Sequence, residues 1–210
     1  MKCSQLGLAS EPRAYFTSMS ALHRSLADQS YTFKTGACVT CLHFSPFLSD
    51  LFLVGQLDGG CRLHKLNRPT PLLFWPLFSM TTGVNLGVDV STTKTKHGLS
   101  SAPSVADLKW SPQRPNVFFL LHSDSYLHIF DLNRNEITPV HSCMLTQQLN
   151  VSVKHQVPSL AISGGLTSAK AIAVSLGDTL FIHPLPNSVS KNQDNELNKF
   201  RAKLEAVVTI

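Results

Sequence analysis

Through most of the chain, apolar residues gather in short runs and do not recur at helical spacing. Leu51–Val54 and Val117–Leu121 are continuous apolar segments. Short continuous runs bounded by turn residues read as strands covered on both faces. Each is preceded by another short strand, Val39–Phe44 or Val105–Trp110, stopped by Ser45-Pro46 or Ser111-Pro112, because Pro cannot donate to a ladder. Each is followed by a turn, Asp58-Gly59 or Asp124-Ser125, of the kind a tight hairpin uses. Third strands follow at Arg62–Leu66 and Leu127–Leu132, and Pro71–Trp75 and Ile137–His141 are candidate fourth, outer strands.

The two stretches are copies of one unit. Val39–Leu66 aligns with Val105–Leu132 at an offset of 66 residues without a gap. Leu42 matches Leu108, Phe44 matches Trp110, Phe52 matches Phe118, Asp58 matches Asp124 and Leu63 matches Ile129. Self-similarity of this kind, with four short strands per unit buried on both faces, describes blades of a β-propeller. A weaker third copy runs through Ser159–Ser163, Ala169–Leu176 and Thr179–Leu185, with Gly177-Asp178 at its turn. Ahead of the first copy, Tyr31–Lys34 reads as the outer strand of a preceding blade.

The expected fold is all-β: a partial propeller of about three four-stranded blades with a short C-terminal helix. Residues 1–30 form an irregular N-terminal segment, 31–190 hold the blades, and 191–210 hold the helix. A loop insertion at 81–102, rich in Thr, Ser, Gly and Lys and without apolar periodicity, interrupts the rhythm, and its composition favours disorder. The helix is read from Leu197, Phe200 and Leu204 at helical spacing, with Asp194 and Glu196 at its start. Capping the last blade and binding a partner are both open to it.

Composition narrows the function. Charged residues make up 15% of the 210 residues and the net charge is +5, but Lys and Arg are spread thinly, which speaks against a nucleic-acid surface. Pro76 breaks the most apolar stretch, Pro71–Phe78, so no run is long enough to span a membrane. Five Cys with no framework spacing, and no secretory leader, read as cytosolic, reduced thiols. Cys38 and Cys41 lie three apart on a predicted strand and so point to opposite faces, which argues against a shared metal ion. His43, His64, His122, His128 and His183 all fall inside the repeats, with no local nucleophile or carboxylate arranged around them. His64 and His183 occupy the position of Phe130 in the second copy, which suggests packing. Ser163-Gly164-Gly165 lacks the frame of a phosphate loop. Asp58, Asp124 and Asp178 are read as structural turn residues that bond local backbone. No catalytic, cofactor-binding or metal site is expected, and neither is a small-molecule substrate.

The residues carry a resemblance. V-x-x-L-x-[FW]-S-P, then [LV]-F, a turn Asp and [LI]-x-[DK]-L resembles the WD repeat, in degenerate form because His64, Phe130 and His183 stand where the third strand usually has Trp. More closely, V-A-D-L-K-W-S-P-Q-R-P-N-V-F (Val105–Phe118) and the tail D-N-E-L-N-K-F-R-A-K-L-E-A-V-V (Asp194–Val208) are similar to the C-terminal part of dynein intermediate chains. F-S-P-F (Phe44–Phe47), L-F-L-V-G (Leu51–Gly55), R-L-H-K-L (Arg62–Leu66) and P-L-L-F-W (Pro71–Trp75) look most like the intermediate chains of cytoplasmic dynein 2. The resemblance covers residues 31 to 208. It implies a WD-type propeller in a non-catalytic motor subunit that clasps the dynein heavy chain beside other dynein subunits. Such a subunit would act in the cytoplasm, on the cytoskeleton and in the cilium, in intraflagellar transport. Light-chain binding belongs to a longer N-terminal region of the family and does not carry over. The alternative is a generic WD-type adaptor of another complex, such as a ubiquitin ligase or a trafficking coat.

Overall fold

The computed structural model describes residues 32–76, 102–146, 157–164 and 170–208. The chain divides into two compact units, Met1–Phe33 and Lys34–Ile210. All the elements below belong to the second. The expected irregular segment 1–30 and the insertion 81–102, apart from Ala102, lie outside the described residues.

Among the described residues, eleven strands form three antiparallel sheets. Blade one is β1 (Val39–Phe44), β2 (Leu51–Gln56), β3 (Cys61–Lys65) and β4 (Leu73–Trp75). Blade two is β5 (Val105–Trp110), β6 (Val117–His122), β7 (Tyr126–Asp131) and β8 (His141–Met144). Blade three is β9 (Ser159–Ile162), β10 (Ala171–Leu176) and β11 (Thr179–Pro184). Each sheet follows chain order, and β5 packs against β1 on one side and β9 on the other. The first strand of each sheet thus neighbours the first strand of the next, as in an arc of a propeller. A short helix α1 (Asn187–Ser190) and the longer α2 (Glu196–Val208) close the chain.

The 66-residue offset extends to the pairing register. Phe44 faces Phe52 as Trp110 faces Phe118, and Leu63 faces Leu53 as Ile129 faces Phe119. Even the irregularity repeats, with a bulge between Val39 and Cys41 and another between Val105 and Asp107. The fourth strands depart from it. Leu63 pairs Leu73, whereas Ile129 pairs His141, two residues later than the repeat predicts. The outer strand expected at Ile137–His141 therefore begins only at His141. The Asn135 side chain accepts from the Ile137 and Thr138 amides and holds a turn there, and Pro139 has no N–H to give. The strand expected at Tyr31–Lys34 is likewise absent over the described residues 32–34. The next carbonyls, Thr35 and Ala37, accept from the Gln56 side chain instead of a ladder.

Burial follows from the layering. β6 of blade two is buried along its whole length, as is β2 of blade one. Phe118, Leu120 and Phe130 join Leu51, Leu53, Leu63 and Trp75 in one core, while Phe119, Leu121 and Ile129 join Leu160, Ile172 and Val174 in the other. Blade three is covered on one face only, and β10 alternates between half-buried Ala171, Ala173 and Ser175 and buried Ile172, Val174 and Leu176. At Gly55 the first two blades come so close that a Cβ would lie 2.5 Å from Val105 Cγ1 and 2.6 Å from Cys41 Sγ. Only glycine fits there.

Candidate interaction surface

The predicted turn aspartates divide into two kinds. Gly60 N donates to Asp58 Oδ1 at 3.0 Å, and Tyr126 N donates to Asp124 Oδ1 at 3.3 Å. In each case the next residue, Gly59 or Ser125, takes a positive φ of 83° or 69°. Asp178 sits differently. The positive φ precedes it, at Gly177 (67°), and Leu176 pairs directly with Thr179 across a two-residue loop. Its carboxylate accepts from the Thr179 hydroxyl at 3.0 Å.

The histidines also separate. His43 Nδ1 accepts the Trp110 amide at 3.1 Å, and His122 Nε2 meets the Gly59 carbonyl at 3.0 Å, so both bond blade one to blade two. His128 Nδ1 lies 2.7 Å from Ser142 Oγ and packs edge-on to His122 at 5.1 Å. His64 is buried against Phe52. His183 is exposed, so the packing role inferred from its repeat position fails there. Burial holds the His43, His64 and His122 pKa below its ordinary value, and burial followed by the His122 charge pushes His128 down to about 4. Cys38 is exposed ahead of β1 while Cys41 packs against the core, and burial raises the pKa of Cys41 and Cys61. Such thiols are poor nucleophiles.

The most concentrated chemistry gathers where α2 meets blade two. Ser111 Oγ accepts from the Gln113 and Arg114 amides, which turns the β5–β6 loop inward. Arg114 is then buried, with its side chain only 1% exposed. Its guanidinium donates to Glu196 Oε1, to Asp131 Oδ2 at 3.0 Å and to the Ser188 carbonyl at 2.5 Å. Asn116 donates to the other Asp131 oxygen, and Arg134 approaches the Asp131 carboxylate at 3.5 Å. Burial alone would lower the Arg114 pKa, but hydrogen bonds and charge from Glu196 and Asp131 outweigh it and hold the pKa above its ordinary value. One buried guanidinium faces two buried carboxylates, and the second guanidinium, that of Arg134, balances the charge from the surface, where it is 58% exposed.

Past this anchor α2 runs back across the blades. Phe200 is buried beside Trp110, at 6.2 Å between ring centres, and Lys203 donates to the Leu132 carbonyl at 2.5 Å and pairs with Glu136 at 2.7 Å. Leu204 and Val207 reach the core shared by blades one and two. Between α2 and blade one lies an open cleft of about 330 Å³, lined by Leu48, Leu51, Leu72 and Leu204 with Asp50, Lys65, Arg201 and Glu205 around them. The helix therefore bridges the first two blades, a path that its sequence does not reveal. Arg114, Asp131 and Glu196 were not singled out from sequence. The signal available was a break in the repeat: Arg114 stands where blade one has Leu48, and Asp131 where it has Lys65.

Three antiparallel sheets packed in succession, with α2 across the first two, define a partial β-propeller. No family model matches the chain. It is 29% identical over 167 residues to human cytoplasmic dynein 2 intermediate chain 1, which covers 80% of this chain and 14% of the relative. It is 34% identical over 102 residues to the mouse protein of that name, covering 49% of this chain and 8% of the relative. The ciliary dynein intermediate chain 2 of Heliocidaris crassispina is 25% identical over 141 residues, covering 56% of this chain and 20% of the relative. The curated homologues are thus dynein intermediate chains, and the chain spans a fifth or less of their length.

Proposed function

We propose that the chain is a non-catalytic, dynein intermediate chain-like subunit. In this reading its propeller arc is a scaffold that binds a dynein heavy chain alongside other dynein subunits. It serves microtubule-based, intraflagellar transport in the cytoplasm, on the cytoskeleton and in the cilium. The partners are proteins only, without cofactor, nucleic acid, membrane or small-molecule substrate. Asp58, Asp124 and Asp178 serve turns, the blades occupy 31–190 and the helical tail 191–210. The observation that carries the reading is the match of all three curated homologues to dynein intermediate chains. The bonding of the buried histidines and of Arg114 to neighbouring blades and to α2 supports it, because those groups are engaged in holding the scaffold together.

Affinity purification of the tagged full chain from ciliated cells, read by mass spectrometry, tests it. The expected result is a dynein heavy chain, the intraflagellar-transport one, with a second intermediate chain. Recovery of cullin or coat components alone would replace this reading with that of a generic WD-repeat adaptor.

A further inference from the structure

Neighbouring blades are joined along their first strands by side chains that accept amide protons. In the β5–β6 ladder Ser111 N bonds the Val117 carbonyl, and bonded pairs alternate, so the Trp110 amide points away from β6. There it donates to His43 Nδ1 of β1 at 3.1 Å. At the next joint the Leu160 amide of β9 donates to Asp107 Oδ2 of β5 at 2.9 Å. In both cases the first strand of one blade caps an amide on the first strand of the next. The chemistry of the cap differs. A carboxylate accepts because it is charged, whereas an imidazole nitrogen accepts only while it carries no proton.

A second histidine at the same joint works the other way round. Near the end where Gly55 meets Val105, His122 Nε2 lies 3.0 Å from the Gly59 carbonyl. A carbonyl oxygen has no proton to give, so His122 Nε2 carries the proton and donates. A further proton, added at Nδ1, leaves that bond in place. A proton added at His43 Nδ1 instead sets one N–H against the Trp110 N–H and breaks the bond. The charged groups facing His43 are Lys109 and Asp107 of β5, paired with each other at 2.9 Å, and its partner on β2 is Leu53. His122 is faced by Asp124 and by His128 of β7. Burial and then the Lys109 charge oppose a charged His43 ring while Asp107 favours it, so the ring stays neutral to a pH below its ordinary value. The bond to Trp110 is complete above that value and is lost as the pH falls past the lowered one.

We propose that His43 makes the joint between blades one and two an acid-sensitive latch. When the imidazole takes a proton, β1 lets go of the Trp110 amide and the two blades loosen from that end. The bond between Gly59 and His122 holds the other end. The joint between blades two and three, capped by the Asp107 carboxylate, stays closed. The latch does not depend on which motor or complex the chain joins.

The test is hydrogen exchange of the full chain, followed by amide NMR at about pH 7.5 and about pH 5 and corrected for the intrinsic exchange rate. Protection of the Trp110 amide is expected to fall by about fivefold or more at the lower pH, while that of the Leu160 amide holds. Ring nitrogen shifts should show a bare Nδ1 on His43 at the higher pH and an imidazolium at the lower one, with a proton on His122 Nε2 at both. His43→Asn sets a carbonyl oxygen near the place of Nδ1 that accepts at either pH, so it should keep Trp110 protected throughout. His43→Phe should leave Trp110 unprotected at both. Should these variants fail to fold, the contrast between Trp110 and Leu160 in the unaltered chain still decides. The proposal is overturned by a His43 ring that stays neutral at the lower pH, by Trp110 protection that is unchanged beside a charged ring, or by an equal loss at Leu160 or in His43→Asn, which would assign the acid response to other groups.

Discussion

Arg114 occupies the position of Leu48 and Asp131 that of Lys65, so blade two has exchanged an apolar contact and a surface pair for a buried ionic cluster. Removing one member leaves the others charged and without a full set of partners, which typically costs about 3–5 kcal/mol. Glu196→Ala is expected to lower urea-unfolding stability by about that amount or to prevent folding. A loss below about 1 kcal/mol would mean that water takes over the missing bonds. The turn aspartates should differ among themselves. Asp58→Ala and Asp124→Ala each remove a bond to a backbone amide and should cost about 1 kcal/mol, whereas Asp178→Ala should stay within about 0.5 kcal/mol. Equal effects at all three would contradict the two kinds of turn. Acid acts through the histidines. In the unfolded chain His128 titrates near 6.5, and in the folded chain near 4. The unfolded state then binds more protons, so this contribution is complete above about pH 6.5 and is lost as the pH falls toward 4. His128 alone accounts for about 3 kcal/mol over that window, and His43, His64 and His122 act in the same direction. Urea midpoints that are flat from pH 7 to pH 4.5 would show that these rings are charged in the native state.

Among the elements, the first three strands of each repeat were legible because local chemistry defines them. Ser-Pro ends the first, an apolar run makes the second, and an Asp turn starts the third, and all three recur at one offset. The outer strand of blade two was misplaced because its start depends on the Asn135 turn, which has no counterpart in blade one. The helix was legible as a helix from Leu197, Phe200 and Leu204. Its destination was not, because helical spacing names a buried face without naming what buries it. The structure answers that Phe200 belongs to the core of blades one and two. Phe200→Ala should therefore cost about 3–5 kcal/mol, close to Phe130→Ala in the blade itself. A cost below about 1 kcal/mol beside a large loss at Phe130 would make α2 a loosely docked appendage.

At the scale of the whole molecule, the arc ends in two unlike flanks. On the flank of blade one that faces away from blade two, Val39 is 50% exposed, Leu42 50% and Phe44 46%. On the flank of blade three that faces away from blade two, Leu180 and Ile182 stand out from a floor of Ala161, Ala173 and Ser175. One surface carries bulky side chains and the other mostly small ones, so one copy can offer its ridge to the trough of the next. Contacts between unlike patches build chains of subunits unless the geometry closes them. In repeat arrays, moreover, the interfaces between neighbours supply much of the stability, so the apolar residues left exposed on these flanks among the described residues cost the fold a contact. The isolated chain is therefore expected to be marginally stable and to self-associate as its concentration rises. Sedimentation velocity over a range of concentrations should show growing species. Leu42→Lys with Phe44→Lys, or Leu180→Lys with Ile182→Lys, should each return the chain to monomers, because breaking either partner of an unlike contact breaks the chain of contacts. A wild-type chain that stays monomeric at every concentration and melts cooperatively above about 60 °C would show instead that three blades and a bridging helix are sufficient by themselves.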